Sequence, residues 1–433
     1  MNAVWLHLRS STGRWAFFPL SVLGIAILFG RSRFWIGIWP ETGAAAQVSG
    51  LFLSYFAAGM AAWTAAQGQL RGLHEQFAAA ARKPFRIEVA RFATTLLWLL
   101  APYVVVAGVA FGATASTLPP GIGMYFPYML LGIVILVLAA AWGWLVGRLL
   151  TPRLAAVCAL LSWFILASVI AESTNAVRMA GPPWLEVSLT SVGLRMAATL
   201  AFAAAVCALP WRSVGHRLRL SQAVFGLAAV LGLIAAHATN VVSYREPVSK
   251  PLCVRGAIKY CLWPEHAKYV PLVKAVDARV AALPAGLTLP DRVVDYALSG
   301  STRWLDLDTS IELEGDFPPE FDISEGSPWA LARGVARAIE ENVFAECKPN
   351  TVADARGHEQ RRDPERRRDQ FFAWLEWRLA GGGTPDYTTN AGGALQQAWA
   401  TGHTIAAERS EHDQAEWATT LIGETKARFC RAG

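Results

Sequence analysis

An apolar run from Gln222 to Asn240 divides this chain into two parts of different chemistry. Immediately before it stands the basic stretch Arg212, His216, Arg217 and Arg219. About twenty apolar residues with arginines on one flank make a transmembrane helix whose direction the charges state. Residues 1–240 carry 16 Lys and Arg against 5 Asp and Glu, a net of +11. Residues 241–433 carry 23 against 28, a net of −5. The apolar excess of the chain (54% hydrophobic residues, 18 Trp) is concentrated before residue 241, which is a membrane signature. Pooling the two parts into one net charge of +6 would point to nucleic acid. Separating them removes that reading, and no nucleic-acid partner is expected.

Seven spans are expected, at about 15–30, 46–66, 92–112, 125–147, 154–171, 190–210 and 222–240. Placing the N-terminus inside puts Arg9, Arg14, Arg71, Arg82, Lys83, Arg86, Arg91, Arg148, Arg153, Arg212, Arg217 and Arg219 on the cytoplasmic side. Only Arg31, Arg33 and Arg178 then fall in outer loops. Twelve against three is a positive-inside bias, and the opposite topology would invert it. The expected fold is therefore a polytopic α-helical membrane protein of about seven transmembrane helices, followed by an extracytoplasmic α+β domain. Its parts are a six-span membrane domain at 1–220, a seventh transmembrane helix at 221–241 and the outer domain at 242–433. No cleavable signal peptide is expected, because further spans follow the first, and no lipidation pattern opens the chain.

Several connecting segments carry readable patterns. Residues 2–14 mix Trp5, Leu6 and Leu8 with His7 and Arg9, which suits the cytoplasmic membrane surface. Between the second and third spans, Leu70, Leu73, Phe77 and Ala81 recur at helical spacing, and Pro84 follows. That spacing predicts a short amphipathic helix at about 67–82, fit either to dock a partner protein or to lie in the headgroups. The outer loop 31–45, with Phe34, Trp35, Ile36, Ile38 and Trp39, reads as interfacial. The loop 172–189, with Gly181-Pro182-Pro183-Trp184, reads as a re-entrant hairpin or an aromatic belt.

Charge inside the spans is scarce. Arg195 lies about one turn into the sixth span, with Glu172 or Glu186 as the expected partner, and it either lines a pathway or snorkels outward. His237, near the outer end of the seventh span, is expected to be interfacial. No series of Asp, Glu or His runs through the spans, which weighs against proton-coupled transport.

In the second part, Cys253 and Cys261 flank a turn near Arg255-Gly256, where a hairpin would set them opposite each other. Cys347 follows a helix at 328–346, and Cys430 lies near the last residue. Four cysteines allow three pairings, and locality favours Cys253–Cys261 with Cys347–Cys430. Cys158 and Cys207 fall in spans and read as small apolar residues. Residues 305–314 alternate Leu305, Leu307, Thr309, Ile311 and Leu313 with acidic and polar residues, a half-buried strand. Helix starts are expected at Ser327-Pro328, Asp363-Pro364 and Ser410-Glu411. Phe371, Trp374, Leu375 and Leu379 form a packing stripe before Gly381-Gly382-Gly383 ends its helix.

Enzyme signatures are missing from the sequence. His358-Glu359 is followed by Arg362 where a zinc hydrolase needs a second histidine. The acidic stretch from Asp306 to Glu325 lacks a calcium-loop pattern and reads as a solvated strand face, paired with the basic run Arg361, Arg362, Arg366, Arg367 and Arg368. There is neither a Gly-x-Ser-x-Gly nor a phosphate-binding Gly-x4-Gly-Lys-Ser/Thr motif. No catalytic or metal-binding residue and no cofactor are assigned to this chain.

The six spans, the N-terminal surface segment and the amphipathic helix after the second span resemble the permease subunit of an ABC-type exporter. The likeness is to drug- and lantibiotic-export permeases of high-GC Gram-positive bacteria. Some of these add a seventh span and an extracytoplasmic domain opening with a Cys-x7-Cys hairpin and a Pro-Glu-His segment, here Cys253 to Cys261 and Trp263-Pro264-Glu265-His266. Some such outer domains look like peptidase folds that have lost their zinc. The resemblance implies a plasma-membrane subunit with a cytoplasmic N-terminus, paired with a second copy or a paralogue around a central pathway. It implies a separate ATPase that holds ATP and Mg²⁺ and docks on Leu70, Arg71, Leu73, His74, Glu75 and Phe77. The rival readings are a membrane-anchored envelope sensor or scaffold and, behind it, a membrane-anchored hydrolase.

Overall fold

The computed structural model describes residues 13–30, 33–70, 84–174, 180–208, 220–300, 318–347, 357–385 and 393–430. The chain divides into two compact units, Met1–Arg245 and Glu246–Gly433. The first unit is helical: α1 (Gly13–Gly30), α2 (Trp39–Leu70), α3 (Pro84–Ala115), α4 (Tyr125–Leu149), α5 (Pro152–Thr174), α6 (Leu189–Ala208) and α7 (Leu220–Ala238). Apolar segments of this kind become helices because lipid offers the backbone no other hydrogen-bond partners. Five described stretches are long and apolar enough to cross a membrane: Trp39–Gln67, Phe85–Ala115, Ile122–Leu149, Pro152–Val169 and Leu189–Ala208. The first and last of the seven expected spans form helices where expected, but their described apolar stretches, Arg14–Gly30 and Gly226–Ala236, are shorter.

Helix α2 is the centre of this unit. Its largest interface is with α4, and it also packs on α5 and α3. Ala57, Ala58, Ala61, Ala62, Ala65 and Ala66 are all buried along it. Facing them on α4 are Gly143 and Gly147, where an added Cβ would fall on the carbonyl oxygens of Ala58 and Ala62. Gly143-Trp144-Leu145-Val146-Gly147 is thus a small-xxx-small contact that lets two backbones touch. Tyr103 of α3 fits the same way, its ring lying over Gly50 of α2 and its hydroxyl over Gly132 of α4.

Two sequence readings need correction in this unit. Helix α2 starts at Trp39, not near 46, because Pro40 sits in the first turn and Gly43 to Gln47 continue the helix despite modest hydropathy. Of the aromatic residues of 31–45, read as interfacial, Trp35 and Trp39 face the protein interior. Trp35 and Trp39 are 1% and 2% exposed. Trp39 packs on Phe111 and Tyr125 and donates its indole N–H to the Pro119 carbonyl at 2.8 Å. Within the loop 172–189, residues 185–187 form strand β1, which pairs antiparallel with β2 (Val242–Tyr244) and so ties the chain after α7 to the start of α6. Residues 175–179 of that loop lie outside the described residues.

The second unit holds a four-stranded sheet in the order β3 (Leu252–Arg255), β4 (Lys259–Leu262), β5 (Arg292–Asp295) and β6 (Glu320–Phe321). The hairpin β3–β4 is antiparallel, whereas β4–β5 and β5–β6 are parallel, with α8 (Val270–Ala281) crossing over between β4 and β5. Helices α9 (Pro328–Val343), α10 (Gly357–Ala380), α11 (Gly393–Glu408) and α12 (Glu411–Phe429) follow. Ser327 and Ser410 cap α9 and α12 by accepting the Ala330 and Asp413 N–H groups. Phe371, Trp374, Leu375 and Leu379 are fully buried as a stripe on α10, and Gly381, Gly382 and Gly383 end that helix at positive φ. The helix start expected at Asp363-Pro364 is displaced: α10 begins at Gly357, so Pro364 lies within its range. The strand read at 305–314 falls outside the described residues.

Filling the α2–α4 contact tests its weight. Gly147→Leu is expected to destabilise the protein by about 3 kcal/mol or more through backbone overlap. Gly108→Ala, at a site with open space around it, should change stability by less than about 0.5 kcal/mol. Thermal unfolding in detergent measures both, and equal behaviour of the two variants would contradict this packing.

Candidate functional site

The first unit buries a polar cluster at the helix ends that flank residues 71–83. Helix α3 begins at Pro84, so Glu88 and Arg91 lie three residues apart in its first turns and pair at 2.9 Å. Arg91 also donates to the Thr64 carbonyl of α2 at 3.0 Å and lies over the Trp144 ring of α4. Arg148, at the end of α4, donates to the carbonyls of Val206 and Cys207 at 2.6 and 3.2 Å, and it feels the charges of Glu88 and Arg91. All three charged side chains are buried. Arg91 and Arg148 entered the topology argument as flanking cytoplasmic charges, a count that their burial leaves unchanged. Chemically the cluster is a clamp that joins α3 to α2 and α4 to α6.

At the other end of α6 lies Arg195. Its side chain is 0% exposed, so it does not snorkel. Its Nη2 donates to the Thr239 carbonyl, immediately after α7. That carbonyl lies at a helix C-terminus, where the partial negative charge of the backbone attracts a cation. Glu186, one of the two expected partners, is exposed on β1 and makes no ion pair with Arg195. The side chain of Glu172, the other, is outside the described residues, as is that of His237. Glu41 is buried in the first turn of α2 and accepts the Gly181 N–H at 3.0 Å.

Of the expected docking residues, Leu70 is the last residue of α2, so the helix read at 67–82 overlaps its end. Arg71, Leu73, His74, Glu75 and Phe77 are outside the described residues.

In the second unit, both disulfides pair as locality favours: Cys253 with Cys261 across the β3–β4 register, and Cys347 with Cys430. Cys158 and Cys207 are free thiols. Next to the hairpin is a buried pair that the sequence reading passed over. His266 Nδ1 and Asp295 Oδ2 are 2.6 Å apart, with the two residues 1% and 0% exposed. Asp295 also accepts the N–H groups of Trp263 and Tyr296, and the Trp263 indole donates to the Tyr296 carbonyl. Complete burial pushes the Asp295 carboxyl up, while the His266 ring and the Trp263 N–H pull against that shift. The Pro264-Glu265-His266 segment therefore serves to lock the end of β4 to β5. Both groups are closed to solvent.

Helices α9 to α12 are joined by ion pairs, and two of the carboxylates, Glu340 and Glu376, are buried. Glu376 pairs with Arg333 and approaches His403, Glu340 pairs with Arg337 and Arg368, and Arg367 pairs with Glu424. An open cleft of about 320 Å³ is lined by Arg366, Arg367, Gln370, Trp417 and Glu424. Among the described residues, no three His, Cys, Asp or Glu side chains converge on a point that could hold a metal ion.

Compared with protein-family models, curated proteins and solved structures, the chain matches none.

Removing the carboxylate of the buried pair should be costly. Asp295→Ala leaves His266 and the Trp263 N–H without their acceptor and is expected to destabilise the second unit by about 3 kcal/mol. Tryptophan fluorescence of the full chain during denaturant unfolding measures this, and a change under 0.5 kcal/mol would contradict a locking role.

Proposed function

We propose that this chain is the membrane-spanning subunit of an ATP-driven ABC-type exporter. On this reading it lies in the plasma membrane as a multi-pass protein with a cytoplasmic N-terminus. Helices α1 and α7 complete seven crossings with the five long apolar helices. The second unit then lies outside the cytoplasm, where two disulfides persist. A second copy or a paralogue completes the pathway. A separate ATPase, which carries ATP and Mg²⁺, docks on the segment that contains Leu70, Arg71, Leu73, His74, Glu75 and Phe77. The outer unit receives, shields or gates cargo at the exit.

The observation that best supports the reading is the buried clamp of Glu88, Arg91 and Arg148. It braces α2 and α3 against α4 and α6 where the chain enters and leaves residues 71–83. A segment that transmits force from a bound ATPase needs such rigid roots, because a displacement there must move packed helices rather than bend a free loop. The buried carboxylates described in the first unit, Glu41 and Glu88, both lie near the starts of helices and both are engaged. They do not form the series of titrating groups that proton-driven transport requires.

The sensor or scaffold reading keeps one specific support, the cleft lined by Arg366, Arg367 and Trp417 in the second unit. Purification from native membranes separates the two. Under the exporter reading an ATP-binding-cassette protein copurifies with the wild-type chain. It is lost, at least tenfold, when Leu70, Leu73 and Phe77 are changed to Asp. A chain that purifies alone, with an anionic ligand held in the cleft, would overturn the exporter reading.

A further inference from the structure

Helices α10 and α12 run antiparallel along one seam. Arg367 pairs with Glu424 at 2.7 Å, the Trp374 ring meets the Trp417 ring edge-to-face at 6.0 Å, and Arg378 donates to the Gln414 side chain at 3.0 Å. Partners thus descend along α12 as they ascend along α10. The cleft of about 320 Å³ follows the first part of this seam. Arg366, Arg367 and Glu424 stand at one end, so its lining side chains carry two positive charges against one negative. Half-buried Gln370, exposed Thr420 and buried Leu421 occupy the middle. Trp417 closes the other end, half-buried and held by the fully buried Trp374. Helical rise separates Glu424 from Trp417 by about 10 Å along α12, the reach of about three extended residues.

Each end of the cleft asks for a different group. A guanidinium presents planar pairs of N–H donors that match a carboxylate. The Gln370 amide and the Thr420 hydroxyl both donate and accept, as a peptide group requires. The indole of Trp417 and the side chain of Leu421 offer apolar surface. We infer that the cleft between α10 and α12 binds a short peptide segment that carries a carboxylate within two or three residues of an apolar side chain. The carboxylate meets Arg366 beside the Arg367–Glu424 pair, a peptide group meets Gln370 and Thr420, and the apolar side chain lies against Trp417 and Leu421. A peptide's C-terminal carboxylate and an acidic side chain share this chemistry. The inference goes beyond the exporter reading and holds whether or not an ATPase copurifies.

The test uses the full chain in a neutral detergent at about 0.15 M salt and reads the fluorescence anisotropy of N-terminally labelled peptides. Three probes share the sequence Gly-Ser-Gly-Phe-Phe. One ends in a free carboxylate, one in an amide, and one continues into an Asp whose own C-terminus is amidated. A carboxylate-bearing probe is expected to bind saturably, and the plain amide at least tenfold more weakly. Binding of the first assigns the site to a peptide terminus, and binding of the third assigns it to an acidic side chain. Replacing Phe-Phe by Ser-Ser in the bound probe should weaken it at least fivefold. Arg366→Gln, at an exposed position, should also weaken it at least fivefold. Glu424→Gln removes the carboxylate that competes for Arg367 and should strengthen binding about threefold. A cleft that is only a packing seam gives no saturable binding below about 1 mM, or equal binding of acid and amide. Either result overturns the inference, as does wild-type affinity in Arg366→Gln or for the Ser-Ser probe. Should Arg366→Gln fail to fold, Glu424→Gln decides, and an affinity that is unchanged or weaker there overturns it.

Discussion

The contact on which the first unit depends is the backbone approach of α2 and α4 at Gly143 and Gly147. Between helices in lipid there is no hydrophobic drive, because the tails are as apolar as the side chains they would replace. Cohesion then comes from dispersion, which needs surfaces that touch. Alanines along α2 and two glycines four residues apart on α4 supply those surfaces. The larger side chains fit around that axis. Tyr103 occupies the space that Gly50 and Gly132 leave, and Trp144 meets the Phe92 ring edge-to-face and lies beneath Arg91. A helix as rich in alanine as α2 is weakly apolar for a membrane segment, and its burial at the centre explains how it can be so.

A second constraint recurs in both units. Every helix leaves its last carbonyls without internal partners, and away from water these need donors. Arg148 meets that need for α6, Arg195 for α7 and Arg279, through the Leu379 carbonyl, for α10. Each arginine belongs to a neighbouring helix, so one bond both satisfies a terminus and fixes the packing of two elements. This accounts for charged residues with little solvent exposure in a chain otherwise poor in membrane-embedded charge. It also explains why Arg195, which looks like a pathway residue when only its neighbours in sequence are considered, sits against a helix end.

Much of this arrangement was legible in the sequence, and the limits are physical. Hydropathy located the apolar helices and the division near residue 241, since burial in lipid leaves a long, unmistakable run. Locality paired the cysteines, and helical period marked the α10 stripe. Hydropathy failed where helix propensity and polarity diverge: Gly43 to Gln47 belong to α2, Trp35 is buried, and Trp39 packs inward on partners more than seventy residues away. The Gly143–Gly147 spacing was visible but passed over, as was the Glu88–Arg91 pair at helical spacing. No local pattern announces that His266 will meet Asp295, because the register that joins β4 to β5 depends on a crossover helix between them.

Everything proposed for residues 246–433 depends on the side of the membrane they occupy. His266 is buried and reports nothing to a labelling reagent, but Lys250 is exposed near the start of the second unit. Lys250→Cys should react with a membrane-impermeant maleimide on intact cells, whereas His74→Cys should react only after the membrane is opened. Labelling of residue 74 from outside, with residue 250 protected until the membrane is opened, would contradict the topology and with it the exporter reading.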